Sequence, residues 1–348
     1  MKFVTQDELE GSEERMRPVS AVAGVQLRSL KGAVFALLLS IHDVVAFVTT
    51  TPTKAPYRDP SLKCGVLAIC DSKMSTDDLR LQTLTLQRLV RHRGPDGSGI
   101  HVLLGDNGRT TSIAHERLAI VDPLSGNQPL YSHDRTLVCT VNGEIYNHKQ
   151  LRAEMKDQRD FRTASDCEVI VHLYNEIGND VASKLDGDFA FVIVNEETGA
   201  VYAARDPVGV NSLYIGRGAD GSVWISSEVK PLVAGNCISI DIFPPGHYYS
   251  SADSNSDSGG FTRYYKPAWL EESKAKRSLS LDAIQKTFVA AVDKRLMSDV
   301  PYGVFLSGGL DSSLVASVIT RVRRKRFLER GSVDDLQPLK SFSIGLEG

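Results

Sequence analysis

Lys63-Cys64-Gly65-Val66-Leu67-Ala68-Ile69 sets a cysteine at the head of a short apolar run, and the run reads as the first strand of a folded domain. A thiol in that position is ordinarily a small buried hydrophobe. The sequence downstream gives it a second reading. In order come RHRGPDGSG (91–99), HERLAIVDP (115–123), VNGEIYN (141–147) and ASDCEVI (164–170), and much later VPYGVFLSGGLDSSLVASV (300–318).

From Cys64 the pattern alternates strand, helix, strand. Leu79 to Val90, with Leu84, Leu86, Leu89 and Val90 among polar residues, is helix-like and ends at Gly94-Pro95. Thr136 to Val141 alternates as a strand does, and Asn142-Gly143 reads as the turn that ends it. Ser165-Asp166-Cys167-Glu168 has capping-box spacing ahead of an apolar face of Val169, Ile170, Leu173 and Ile177. Residues 189–195, 199–206, 211–216 and 221–227 read as strands of a meander, and 247–265 as two strands around a Ser/Asp/Gly loop. This is an α+β pattern of sheets covered by helices.

A polar stretch with a proline, 266–280, reads as a linker. Beyond it Leu281, Ile284, Phe288, Ala291, Val292 and Leu296 mark an amphipathic helix, followed by a strand at Gly303–Leu306 and the SGGLDSS turn into another helix. With a further strand expected at Ser341–Leu346, this is the opening of an α/β unit with a parallel sheet. A parallel sheet of two strands cannot cover both of its faces.

The totals set bounds. At 348 residues the chain has room for two cores, and 40 basic against 43 acidic side chains give no net field for nucleic acid or a membrane surface. The basic run Arg321 to Arg326 reads as a solvated helix end. Five cysteines, Cys64, Cys70, Cys139, Cys167 and Cys237, lack zinc or disulfide spacings and fit a reducing compartment. No metal site is expected.

In this order the strings resemble the glutaminase half of a class II glutamine amidotransferase, and SGGLDSS resembles the pyrophosphate loop of glutamine-hydrolysing asparagine synthetases. The resemblance runs from Cys64 to Gly348. It implies an N-terminal-nucleophile type αββα sandwich over residues 64–265, then the start of an ATP-pyrophosphatase-type α/β domain over 281–348. It also implies roles. Cys64 is the nucleophile, and its own α-amine is the base. Asn142 and Gly143 form the oxyanion pair, and Arg117 takes the α-carboxylate of glutamine. Asp166 takes the α-ammonium, and Glu144 with Leu118, Ala119, Ile120 and Val121 completes the pocket. Leu306, Ser307, Gly308, Gly309, Asp311, Ser312 and Ile344 would hold ATP and pyrophosphate, with Mg2+ on the phosphates. The substrates implied are glutamine, aspartate and ATP, in a cytosolic homodimer. His92, His115 and His172 have no role in that mechanism and read as structural.

SGGLDSS lacks the lysine and spacing of a Walker A loop, but its glycines and hydroxyls stand between a strand and a helix start, where free N–H groups attract phosphate. Two departures from the family stand out. Family members normally begin at Met followed directly by the reactive cysteine, whereas here Cys64 follows Lys63 in a peptide bond, so its nitrogen is no base unless that bond is cut. The synthetase half is longer in the family, and the 348-residue chain by itself is expected to make no asparagine.

Residues 1–63 match nothing in that family. Asp43 interrupts the apolar runs 33–41 and 44–48, and a mid-span Asp costs about 2.5–3.5 kcal/mol, which disfavours a membrane span. Thr49-Thr50-Thr51 is a poor signal-peptide cleavage site. A mispredicted start, a removable leader and a retained domain stay open.

Overall fold

The computed structural model describes residues 3–4, 45–47, 63–156, 161–253, 260–267, 280–331 and 338–344. The chain divides into two compact units, one drawn from residues 62–277 and the other from residues 1–61 and 278–348.

Strands β1 (Phe3–Val4) and β2 (Val45–Phe47) belong to the second unit, and the first unit opens with β3 (Gly65–Ser72). Next come α1 (Thr76–Gln87), β4 (Gly97–Leu104), β5 (Thr110–Arg117), β6 (Leu130–Tyr131) and β7 (Leu137–Ile145). Helices α2 (His148–Glu154), α3 (Val169–Ile177) and α4 (Val181–Lys184) follow. The rest is β8 (Gly187–Asn195), β9 (Val201–Arg205), β10 (Tyr214–Arg217), β11 (Val223–Ser226), α5 (Val229–Ala234), β12 (Ser239–Ile242), β13 (His247–Ser250) and β14 (Phe261–Arg263).

These strands form two six-stranded antiparallel sheets, ordered β12-β10-β11-β3-β5-β4 and β14-β13-β9-β8-β7-β6. Alternation along each strand builds the layers. On β3, Val66, Ala68 and Cys70 join Val138 of β7 and Ala190, Val192 and Val194 of β8 in a core between the sheets. The alternate residues Leu67 and Ile69 pack outward with Leu79 and Leu86 of α1 and Leu232 of α5. On the far side, Val141, Phe189 and Phe191 pack outward with Leu151, Val169, Ile170, Leu173 and Val181. The result is helix, sheet, sheet, helix, as the resemblance implied, and each fully buried Val, Leu, Ile or Phe side chain stabilises it by about 1.5–3 kcal/mol.

The second unit contains α6 (Leu281–Lys294), β15 (Tyr302–Phe305), α7 (Leu310–Arg330) and β16 (Lys340–Ile344). β15 and β16 run parallel, as expected, with Gly303 opposite Lys340 and Phe305 opposite Phe342. Their outer edges are not bare. β2 pairs antiparallel with β15 and β1 antiparallel with β16, so strands from the start of the chain flank the parallel pair. Phe288, Val292, Val304, Val315, Ile319 and Val322 form this unit's core.

The structure corrects four local readings. Asn142 and Gly143 do not form a turn: β7 continues through them to Ile145, paired with Ala190 and Phe189 of β8. An Asn-Gly dipeptide carries the hairpin signal, but here the neighbouring strand extends past it and keeps the ladder going. The reciprocal capping box is also absent. Ser165 Oγ accepts from Cys167 N at 3.3 Å, whereas Glu168 turns to the N–H groups of Arg162 and Thr163, both at 2.8 Å. The strands from 189 to 227 are not one meander, because the chain leaves one sheet after β9 and enters the other at β10. Arg321–Arg326 is only partly solvated, with Arg323 lying over the Tyr302 ring and Arg326 Nη2 bonded to Asp293 Oδ1 at 2.6 Å. The tip of the Ser/Asp/Gly loop and most of the 266–280 linker lie outside the described residues.

Candidate functional site

The alternation that builds the inter-sheet core also carries the chemistry to one end of it. Two residues before Val66, in the same parity, stands Cys64; two beyond His115 on β5 stands Arg117. Beyond Val138 and Thr140 on β7 come Asn142 and Glu144, and Asp188 precedes Ala190 on β8. A contact of 3.0 Å between His115 Nδ1 and Thr140 Oγ1 ties the two sheets together just inside this cluster. Burial, with Arg117 as a lesser cause, lowers the His115 pKa to about 3, so its ring is a neutral structural bridge.

The Cys64 thiol is held by one residue of the facing strand end. Leu118 N donates to Sγ at 3.2 Å, and Sγ lies 3.6 Å from Leu118 O. Burial pushes the thiol up to about 12 against the lowering effect of the Leu118 backbone. A buried thiol this reluctant to ionise needs a base at hand to become a nucleophile. Asp96 Oδ2 accepts from Ala119 N at 3.0 Å and so fixes the Leu118–Val121 segment against the 91–99 loop. Gly94 in that loop admits no side chain, since a Cβ would stand 2.1 Å from Glu116 O.

Asn142 is almost fully buried, and its Nδ2 has no hydrogen-bond partner among the described residues. An amide donor left open in this way is available to a developing oxyanion. Asp166 lies in a single 3-10 turn, Asp166–Glu168, ahead of α3, and its Oδ2 accepts from Ile145 N at 2.6 Å. Its carboxyl is near enough to that of Glu144 for each to shift the other. Burial raises Asp166 to about 6 and raises Glu144 well above the ordinary carboxylate range. Cys167 Sγ donates to Gly143 O at 3.2 Å, tying the turn to β7.

Arg117 sits at this cluster, but its terminal donors are turned into the loop that follows. Nη1 donates to Pro123 O and Asn127 Oδ1, both at 3.2 Å, and Nη2 to Val121 O at 3.3 Å and Asp122 O at 2.6 Å. Its fork therefore shapes the 121–127 loop in this structure.

Sequence reasoning passed over the groups that position these residues. Arg93, inside RHRGPDGSG, donates from Nε to Cys64 O at 2.9 Å and from Nη1 to Glu228 Oε1 at 3.3 Å, with His92 on the same carboxylate oxygen at 2.8 Å. Glu168 orders the approach to Asp166: burial alone would raise it, but His172, Arg162 N and Thr163 outweigh that and hold it below its ordinary value. The motif strings mark where these residues lie, but no local pattern says which backbone carbonyl a side chain will reach. Removing the Arg93 anchor should misplace the thiol. Arg93→Ala is expected to change the rate of Cys64 alkylation on the order of a hundredfold, and Arg93→Lys, which lacks the fork, should not restore it. The alkylation rate of each variant beside the parent checks this, and an unchanged rate would refute it.

In the second unit, Ser307 and Ser312 lie at the base of a loop between β15 and α7. Ser307 Oγ and Ser312 Oγ are 3.0 Å apart, and Ser307 N donates to Ser312 Oγ at 3.3 Å. Gly308 has φ +80°, and a Cβ there would meet nothing within 4 Å. Gly309, the residue before α7, receives no side-chain cap, and Asp311 lies in the first turn. Open N–H groups on a 21-residue helix beside two serine hydroxyls fit phosphate oxygens. Leu306 N donates to Phe342 O at 2.8 Å, joining the loop's root to β16, which ends at Ile344. Among the described residues no cluster of three or more His, Cys, Asp or Glu is arranged to hold a metal, and no helix is long and apolar enough to cross a membrane.

The chain is similar to named proteins over most of its length. It is 50% identical over 287 residues to asparagine synthetase [glutamine-hydrolyzing] 1 of Arabidopsis thaliana, covering 82% of this chain and 46% of that one. Against the asparagine synthetase [glutamine-hydrolyzing] of Sandersonia aurantiaca the figures are 48% identity, 82% and 51%. The chain thus spans about half the length of these relatives. Among solved structures, the allosteric regulatory enzyme of purine biosynthesis is similar at 24% identity and a TM-score of 0.48, covering 59% of this chain and 50% of that one. Residues 63–262 match the glutamine amidotransferase domain family and residues 283–348 the asparagine synthase family. The chain belongs to the glutamine amidotransferase domain family, joined to a segment of the asparagine synthase family.

Proposed function

We propose that the chain acts as the glutaminase and the opening nucleotide-binding segment of a glutamine-hydrolysing asparagine synthetase. The observation that carries this reading is the Cys64 thiol between Leu118 N and O, in one cluster with the unpartnered Asn142 amide and the acidic pair Glu144 and Asp166. Once the Lys63–Cys64 bond is cut, Cys64 gives its proton to its own α-amine and attacks the side-chain amide carbon of glutamine, and Asn142 Nδ2 with the Gly143 N–H receives the oxyanion. The C–N bond then breaks, ammonia leaves, and water hydrolyses the thioester to glutamate. Asp166 and Glu144 hold the α-ammonium, and the Leu118–Val121 backbone holds the α-carboxylate together with Arg117, whose fork must first give up bonds to the 121–127 loop. In the whole protein the ammonia would convert aspartate to asparagine. ATP, with magnesium on its phosphates, would supply the activation as β-aspartyl-AMP, and Ser307, Gly308, Gly309, Asp311 and Ser312 would hold the pyrophosphate, with Leu306 and Ile344 at the nucleotide. A homodimer in the cytosol is the accompanying proposal.

A second reading rests on the Lys63–Cys64 peptide bond. With that bond intact the buried thiol has no amine beside it, and the unit would bind glutamine without turning it over.

Release of ammonia and glutamate from glutamine, abolished by alkylation of Cys64, is the expected result for the first reading. Turnover that survives full alkylation overturns it.

A further inference from the structure

Three carboxyl groups that come from distant parts of the sequence meet in the glutamine pocket, and the charge there does not balance. Glu144 stands directly opposite Asp188 across the β7–β8 ladder, a placement that is destabilising when both carry charge. Asp166 reaches the same place from the 3-10 turn, held by Ile145 N. Asp188 is bonded to Tyr146 O–H at 2.6 Å. Glu144 Oε2 is buried, and no N–H or O–H of the described residues reaches it, while Asp166, anchored on the N–H of the very next residue, and Asp188 across the ladder bring two more carboxyls up to it. Carboxyl groups packed this closely, one of them without a donor, do not all stay ionised, so one keeps a proton.

The groups facing Glu144 can be named from each packed element. They are Arg117 at the end of β5, Cys64 ahead of β3, Asp188 on β8, and Asp166 and Cys167 on the 3-10 turn. The cation facing Glu144 is Arg117, whose four terminal N–H bonds already go to Pro123, Asn127, Val121 and Asp122; Asp166 also feels Arg152 of α2, whose guanidinium donates to Thr163 O and Ser165 O.

Resting on the glutamine-pocket reading above, we infer that the empty pocket keeps a proton between Glu144 and Asp166 and that the α-ammonium of the incoming amino acid displaces it. An ammonium needs acceptors, and the pair offers its full set only when both carboxyls are ionised. Binding therefore expels a proton. The sign of the pH dependence follows: affinity for glutamine rises with pH, by about tenfold per unit where the pair is protonated in the free protein, and levels off once the free pair is ionised. Glu144, which burial and its carboxyl neighbours raise well above the ordinary carboxylate range, is the group whose ionisation sets where the levelling begins. Selectivity follows as well, because an analogue without the α-amine cannot displace the proton.

Calorimetry on the full chain carrying Cys64→Ala, which blocks turnover, tests this in buffers of different ionisation enthalpy. Glutamine is expected to release about one proton at neutral pH, and its desamino analogue 4-carbamoylbutanoate none. Infrared spectra of the ligand-free chain should show a protonated-carboxyl band that disappears in both Glu144→Gln and Asp166→Asn, and Glu144→Gln should bind glutamine without proton release. Glutamine binding with no proton released by the Cys64→Ala chain, or a ligand-free spectrum without that band, overturns the inference. Failure to bind glutamine at all overturns the pocket assignment instead, and the infrared band still decides whether the proton is there.

Discussion

Gly143→Ala is expected to abolish glutamine hydrolysis and to destabilise the fold by about 2–5 kcal/mol, the combined cost of a left-handed backbone angle and an overpacked core. The position has φ +147°, and a Cβ there would stand 2.0 Å from Asp188 O and 2.7 Å from Phe189 Cα. Neither is the end of a flexible side chain that could swing away, so the β7–β8 pair has to part. That pair carries Asn142, Glu144 and Asp188, so the site goes with it. Gly108→Ala is the control. Its φ is +71°, but nothing lies within 4 Å of the new carbon, so only the backbone strain of about 1–2 kcal/mol should appear, with hydrolysis unchanged. Urea unfolding of both variants beside the parent measures the difference. Equal losses at the two positions would show that the cross-strand clash is not what makes glycine necessary at 143.

The second large effect concerns a single bond. Protein whose first residue is Cys64 should hydrolyse glutamine about 10²–10⁴-fold faster than protein in which Lys63 is still attached, the range a well-placed general base contributes. The physical reason is the burial that pushes the Cys64 thiol up to about 12, which leaves very little thiolate near neutrality unless a base takes the proton. A free α-amine titrates at about 7.7–8.0, so the rate of the processed form should climb with pH through that region as the amine loses its proton. Intact mass establishes the first residue of each preparation, and ammonia release gives the rate. Equal rates from the two forms would remove the α-amine from the mechanism.

Much of the first unit was legible because period-two alternation reports directly on which side of a strand is buried. Val66, Ala68 and Cys70 against Leu67 and Ile69 is such a pattern, and the strands at 189–195, 201–205 and 223–226 follow the same rule. Helix α1 was found, and the imperfect spacing of its leucines has its counterpart in the burial: Leu79, Thr83 and Leu86 are inside, Leu84 is 40% exposed, and in the 3-10 turn that follows Val90 is buried while Leu89 is 37% exposed. The order of the motifs singled out Cys64, Asn142, Glu144 and Asp166; in the structure Cys64 and Asp166 both face Glu144, and Asn142 lies two residues before Glu144 on β7, in the same parity. Three things could not be read in this way. Asn142-Gly143 looks like a turn until the length of β8 is known, and β8 lies more than forty residues downstream. The acidic cluster joins residues 144, 166 and 188, and its charge imbalance exists only once they meet. The destination of the Arg117 fork is set by the path of the 121–127 loop, which no spacing rule describes.

The ladders of the second unit bear on how the molecule comes off the ribosome. Phe3 and Val4 pair with Ile344 and Ser343, and Val45 to Phe47 with Val304 to Tyr302, so each of these two strands finds its partner on the far side of the whole first unit in sequence. The intervening unit can close on its own contacts while the nascent chain is still emerging, but β1 and β2 have to wait for β16 and β15 to be made. Separations of that size make the pairing slow, and they leave those strand edges to chaperones in the meantime.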